Sequence, residues 1–182
     1  MKLRLVPLIL VIFFTMCSNP TPSSMNMSAD SIIITYYPDS SINEIAYKQN
    51  GTLEGRAVKF DEDGYKLYDF FYENDQRQGP QYIYTHGDLK AIENFENGIK
   101  QGRAQYFNPD CGFVVEEGNF IDNRKEDIWI EYFNKEVKRI VRYKDDTVAE
   151  ILYSNKKYDF TGQNPPPRPL TKDECCCVKL LE

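Results

Sequence analysis

Between Asn50 and Phe133 the chain repeats one phrase. NGTLEGRAVKF begins at Asn50, NDQRQGPQYIY at Asn74, NGIKQGRAQYF at Asn97 and DNRKEDIWIEYF at Asp122. Gly55, Gly79, Gly102 and Asp127 fill one slot, spaced 24, 23 and 25 residues apart. Five residues after each slot stands an aromatic: Phe60, Tyr84, Phe107 and Tyr132. A second aromatic follows later in each unit, at Tyr72, Phe95, Phe120 and Tyr143, and Gly64, Gly87 and Gly112 mark a second turn. A repeat of this length means one supersecondary unit stacked on its own copies.

The unit reads as a hairpin. Asn97-Gly98 suits a tight turn, because both residues accept positive φ. Asp61-Glu62-Asp63-Gly64 and Asn108-Pro109-Asp110-Cys111-Gly112 supply turns at the other end. The intervening runs are rich in Tyr, Phe, Ile and Val, which suit a pleated surface. Turns fall too close together for helices, and no helical period is present. The expected fold is all-β: an antiparallel meander of hairpin repeats of about 23 residues, forming a single elongated sheet. Equivalent aromatics should line up in rows along that sheet. Gly at the slot is expected to let a neighbouring ring lie over bare backbone. Glu150 stands where a fifth Gly would fall and Asn155 where its aromatic would, so the repeat decays toward a cap, as terminal repeats do. At the other end Tyr37-Pro38-Asp39 loosely matches Phe107-Asn108-Pro109-Asp110, which suggests a half-unit over residues 31 to 47.

The N-terminus reads as an export signal over residues 1–16. Lys2 and Arg4 form a short basic start, and Leu5 to Phe14, LVPLILVIFF, is apolar apart from Pro7. That run is too short for a membrane-spanning helix, which needs about 20 residues. Cys17 follows, then Ser18-Asn19-Pro20-Thr21-Pro22-Ser23-Ser24. This order resembles a bacterial lipoprotein precursor. The resemblance implies that Cys17 becomes the lipidated N-terminus, that residues 17–30 are a flexible anchored linker, and that the protein sits membrane-anchored in the bacterial cell envelope. Ordinary secretion, with cleavage before Ser18, and a retained anchor are the alternatives. Residues 31–160 then form the repeat domain, and residues 161–182 a tail carrying Pro165-Pro166-Pro167, Pro169 and Cys175-Cys176-Cys177.

The repeat pattern itself (Asn-Gly, three residues, Gly, an aromatic, a second turn, another aromatic) resembles the MORN-repeat-variant family over roughly residues 31 to 153. A fuller form has Trp two residues past the slot, as in Ile128-Trp129-Ile130-Glu131-Tyr132-Phe133. The resemblance implies an antiparallel β meander, no established chemistry, and frequent description as an antitoxin component.

The side chains offer little for catalysis. The one His, His86, stands at a predicted turn tip, and a Ser–His–acid set needs a general base. The acid pairs Asp61, Glu62, Asp63; Glu116, Glu117; and Asp145, Asp146 fall in turns or alternate along strands. No phosphate-binding Gly-rich loop occurs. No catalytic residue, metal or cofactor is expected. Cys111 lies in a turn, and Cys175, Cys176 and Cys177 are consecutive. They fit an incidental tail, a disulfide to Cys111 or between chains, or a soft-metal site. The formal charge is −6, and removing Lys2 and Arg4 with the leader leaves 20 basic against 28 acidic residues, a net −8. Such a chain is poorly suited to nucleic acid, which is bound by Lys and Arg.

What remains is a binding surface. Tyr106 falls on the strand face opposite Phe107, and Trp129 on the face opposite Tyr132. One face should hold the core rows, and the other, with Tyr106 and Trp129, is the candidate partner face. The expected function is a non-catalytic, envelope-tethered module for protein binding or scaffolding. The alternative is an immunity or antitoxin protein, for which a basic toxin would complement the −8 charge.

Overall fold

The structure, a computed structural model, describes residues 31–159 together with Arg168, Thr171 and Glu174. The leader, Cys17 and the Pro165–Pro167 and Cys175–Cys177 runs lie outside the described residues. Fourteen antiparallel strands form one sheet whose path follows chain order, a meander as the repeat implies. Five hairpins carry it: β1(Ser31–Tyr36) with β2(Ile42–Gln49), β4(Gly55–Phe60) with β5(Lys66–Glu73), β7(Gly79–Thr85) with β8(Asp88–Glu96), β10(Gly102–Phe107) with β11(Val114–Ile121), and β12(Arg124–Phe133) with β13(Glu136–Lys144). A last strand, β14(Thr147–Ser154), pairs with β13. Three two-residue strands, β3(Thr52–Leu53), β6(Gln76–Arg77) and β9(Ile99–Lys100), sit beside the tight turns.

Each hairpin has the same bulge. Register slips between slot-plus-four and slot-plus-five, at Lys59/Phe60, Ile83/Tyr84, Tyr106/Phe107 and Glu131/Tyr132. The first hairpin slips in the same way at Thr35/Tyr36. Residues 31–49 are therefore a complete hairpin with Ser31 in the slot, where the sequence suggested half a unit. Seven two-residue turns have positive φ at both residues, from Asn50-Gly51 to Asp145-Asp146, and this is the signature of the type I′ turn that matches strand twist. Asn and Asp fill most of these positions, because their short side chains tolerate left-handed backbone.

The slot glycines act differently from the expectation. Gly55, Gly79 and Gly102 have φ of 80°, 74° and 84°, yet a Cβ at any of them would meet nothing within 4 Å. No ring lies over them. They turn the chain out of the tight ribbon and into the next long strand, which demands left-handed backbone. Asp127 performs the same turn at φ 57°, within a strand that here runs unbroken from Arg124 to Phe133. At the C-terminal end Glu150 lies opposite Arg142 and begins no further hairpin, and Asn155 caps a short 3₁₀ turn, Lys156–Tyr158, that seats Tyr158 against Phe133.

A hydrogen-bond ladder ties each tight turn to the one before. The residue ahead of each slot is Glu or Gln, and its side chain accepts the backbone N–H of the next turn's first residue. Glu54 takes Asn74 at 2.9 Å, Gln78 takes Asn97 at 2.9 Å, Gln101 takes Asp122 at 3.1 Å and Glu126 takes Asp145 at 2.8 Å. The second turn residue donates its N–H to the carbonyl two before the slot: Asp75 to Leu53, Gly98 to Arg77, Asn123 to Lys100 and Asp146 to Lys125. Where that residue has a carboxylate or amide, it accepts in return from Leu53, Lys100 or Lys125. These loop groups would otherwise be unpaired, at a cost comparable to a lost hydrogen bond.

Candidate binding face

Cross-strand register assigns every side chain to a face. The slot residue lies directly opposite the second aromatic in each unit: Gly55 opposite Tyr72, Gly79 opposite Phe95, Gly102 opposite Phe120, Asp127 opposite Tyr143. These rings share their face with slot-plus-two residues Ala57, Gln81, Ala104 and Trp129, all buried. The first aromatics, Phe60, Tyr84, Phe107 and Tyr132, follow by an odd step and are half-buried on the opposite face. The expected rows exist, but on two faces.

This arrangement corrects the candidate partner residues. Trp129 is 0% exposed. Its indole packs edge-on against Phe120 and Tyr143, near Tyr106, and its Nε1–H donates to the Asn119 carbonyl at 3.1 Å. Tyr106 is half-buried and donates its hydroxyl to Glu93 at 2.8 Å. Burial first, and that bond second, push the phenol's pKa far up. Both rings belong to the core, because they stand on the same face as the second aromatics rather than opposite them.

Cations cover this ring face. The residue two before the slot, Leu53 in the first case, is Arg77, Lys100 and Lys125 thereafter. Arg77 lies 4.9 Å from the Phe95 ring centre, Lys100 5.2 Å from Phe120, and Lys125 4.1 Å from Trp129 and 5.3 Å from Tyr143. Their heads are held in place: Arg77 by Gln81 at 2.8 Å, Lys100 by the buried Glu93 at 2.8 Å, Lys125 by Glu116. A charged head over a ring face, paired at the same time with a carboxylate or amide, gains both a cation–ring contact and a hydrogen bond.

The opposite face is different. Its central part is polar and paired: Arg56 binds Asp69 through two bonds of 2.7 and 2.6 Å, and Lys66 adds a third at 3.1 Å. The hydrogen bond from Arg56, more than any other influence, holds the Asp69 carboxyl below its ordinary range. Glu117 is lowered likewise, chiefly by Arg103, with Tyr132 and Gln105 also donating to it. Toward the N-terminal edge the face turns apolar. Ile32 pairs opposite Tyr47, and Ile34 opposite Ile45, so these four share it. Ile32, Ile34 and Tyr36 are exposed on the free edge strand, as is Phe71 on β5.

Here the sheet also opens. Neighbouring hairpins pair over only two residue pairs, Glu44–Lys59 with Ile45–Val58 and Tyr68–Ile83 with Asp69–Tyr82, before the slot glycines divert the chain. The gap is a mainly apolar cleft of about 580 Å³ lined by Tyr47, Phe71, Tyr72 and Pro80, with Arg56 and Glu54 at its polar rim. Neither Tyr47 nor Phe71 stands out in the sequence, since both lie off the repeat's aromatic positions. The signal that could have found Phe71 is a doublet, Phe70-Phe71, of which alternation buries only one. His86 sits at an exposed tight turn with φ 49°, edge-on to Tyr65 at 6.1 Å.

No family model and no curated protein matches the chain. Among solved structures, the glycosylation-associated protein (Gap123) complex from Streptococcus agalactiae is similar at 20% identity and a TM-score of 0.37, over 58% of this chain. The chain spans about 20% of the length of that neighbour.

Proposed function

We propose that this protein is a non-catalytic binding module of the MORN-repeat-variant kind, held at the bacterial envelope through Cys17, and that its partner is a polypeptide segment seated in the cleft at Tyr47 and Phe71. The observation that carries this reading is the asymmetry of the sheet. One face carries paired cations over Phe95, Phe120 and Trp129, while the other presents exposed rings and edge isoleucines beside an open, mainly apolar cleft. Contiguous exposed apolar surface marks interaction sites in soluble domains. Large rings are frequent hot spots, and truncating one often costs about 2 kcal/mol or more of binding.

The test is Tyr47→Ala with Phe71→Ala in the full chain, assayed by capture of envelope proteins beside a thermal melt. A partner lost with the melt retained supports the reading. A partner retained by the double variant moves the site away from the cleft. The anchor is tested separately: Cys17→Ala should abolish acyl labelling and membrane association, and an unlipidated wild-type chain would replace the anchor with simple secretion.

A further inference from the structure

The sheet is open, so it ends in two edge strands, β1 and β14. An edge strand carries unpaired N–H and C=O groups along its outer side, and soluble proteins blunt such edges with charge, proline or bulges. The two edges of this sheet differ. Against β13, β14 holds two extra residues: Leu152 falls between the pairs Ile140–Tyr153 and Val141–Ile151, and Ala149 between Arg142–Glu150 and Tyr143–Val148. It also carries Glu150, paired with Arg142 at 2.6 Å. Strand β14 is therefore a doubly bulged, charged edge. Strand β1, SIIITY from Ser31 to Tyr36, has no charge and no proline. Its one register slip, at Thr35/Tyr36, puts the extra residue in β2, at Asn43, so β1 itself runs straight. Among the described residues β1 pairs only with β2. Ile32, Ile34 and Tyr36 on it are 59%, 42% and 58% exposed.

The topology and the β1 sequence select what such an edge would accept. The path through the sheet has eleven strands, each antiparallel to the next, so β1 and β14 run in the same direction. Copies added head to tail with their faces aligned would meet in a parallel pair, which is less stable per residue than an antiparallel one. Two copies related by a two-fold axis perpendicular to the sheet meet β1 to β1, and that pair is antiparallel, like every other pair in the sheet. With the axis through Ile33, each side chain finds its own kind. Ile33 meets its own copy, Ile32 meets the second copy's Ile34, and Ser31 meets the second copy's Thr35. No charge is brought against an apolar residue, and opposite residues share a face, as an antiparallel ladder requires. Ile32 and Ile34 lie on the face of Tyr47 and Ile45. The pairing therefore brings four isoleucines together and sets both clefts on one side of a continuous sheet.

We propose that β1 is a self-recognition edge, through which two copies of this chain pair about a two-fold axis at Ile33. The bulged, charged β14 edge then ends the sheet on both sides, so assembly closes at the dimer. The dimer forms whether or not the cleft takes a partner.

The test uses the full chain in mild detergent, with mass measured by sedimentation over a dilution series and a thermal melt at each concentration. The wild-type chain should be a dimer that dissociates on dilution, and its melt should rise with concentration by mass action. Ser31→Lys with Thr35→Lys sets two like-charged contacts across the interface and should weaken dimerisation about tenfold. Ser31 and Thr35 are exposed, so this variant should melt with diluted wild type rather than below it. Ser31→Glu with Thr35→Lys turns the same two contacts into opposite-charge pairs and should restore the dimer. A monomeric wild-type chain would leave the edge to another occupant and overturn the proposal. A dimer that the lysine pair leaves intact, one held by a disulfide between chains included, would overturn it as well. Failure of the Glu and Lys pair to restore the dimer would overturn the two-fold register at Ile33.

Discussion

Trp129 lies flat over Gly118, so that a Cβ built on that glycine would stand 2.2 Å from the indole Cδ2 and 2.4 Å from Cε2. Gly118 is the position where bare backbone receives a ring, and it lies opposite Ala104 rather than in the repeated slot. Gly118 and Gly102 thus serve distinct ends: the first makes room, the second supplies a positive φ in open space. Gly118→Ala should destabilise the domain by about 1–3 kcal/mol through overpacking, and Trp129→Leu in the same chain should recover part of that loss. Chemical denaturation of the four members of this cycle measures the coupling; simple additivity would remove the contact from the account.

Gly102→Ala should cost about 1–2 kcal/mol, because an L-residue is forced into left-handed backbone. Gly102→Asn should cost clearly less, since Asp127 already occupies the equivalent turn at φ 57°. Equal losses for Ala and Asn would mean that φ is not what the slot selects.

The turn ladder predicts a graded response at the residue ahead of the slot. Gln101→Ala strands the Asp122 N–H and should cost about 0.5–1.5 kcal/mol. Gln101→Glu keeps an acceptor in place, as Glu54 and Glu126 do in their units, and should be close to neutral at pH 7. Ala149 already stands at the corresponding position before Glu150, where no further turn follows. Melts of the two variants side by side decide the matter.

Acid stability should depend on Asp69. Its folded pKa is depressed by Arg56 and Lys66, so its contribution is present above the unfolded carboxylate value of about 3.9 and is lost as pH falls through the lower folded value. Asp69→Asn should therefore flatten the acid limb of a stability–pH curve below about pH 5, while lowering stability at neutral pH. An unchanged acid limb would show that the pair does not contribute there.

Most of the fold was legible because the repeat fixes where turns fall, and Asn-Gly, Asn-Asp and Asp-Asn at those turns leave one backbone solution. The face assignment was not legible from period two alone. Tyr106 and Phe107 were correctly separated, yet which of them is core depends on Tyr72, Phe95, Phe120 and Tyr143 pairing across from the slot, a register known only once strands are aligned. The cations before the slot were not legible for a physical reason: Arg and Lys read as solvent residues until their charged heads are seen over Phe95, Phe120 and Trp129. The cleft at Tyr47 and Phe71 arises from hairpins parting, which no local pattern encodes.

Trp129 is the chain's single tryptophan, which makes its environment directly readable. At 0% exposure, packed against Phe120 and Tyr143 with the Lys125 ammonium group over its ring, its emission should be blue-shifted and resistant to iodide. Lys125→Ala removes both the stem and the ion pair to Glu116. It should shift the emission to the red, raise quenching, and destabilise the domain by about 1 kcal/mol, the range of a partly desolvated cation–ring contact. Lys125→Met keeps the cover without the charge, so it should preserve the blue-shifted emission while losing the part of stability owed to the cation. If Met and Ala variants give the same red-shifted spectrum, the charge rather than the stem closes the face. If the wild-type chain itself emits like indole in water, Trp129 is not core, and the ring face regains its standing as the partner surface.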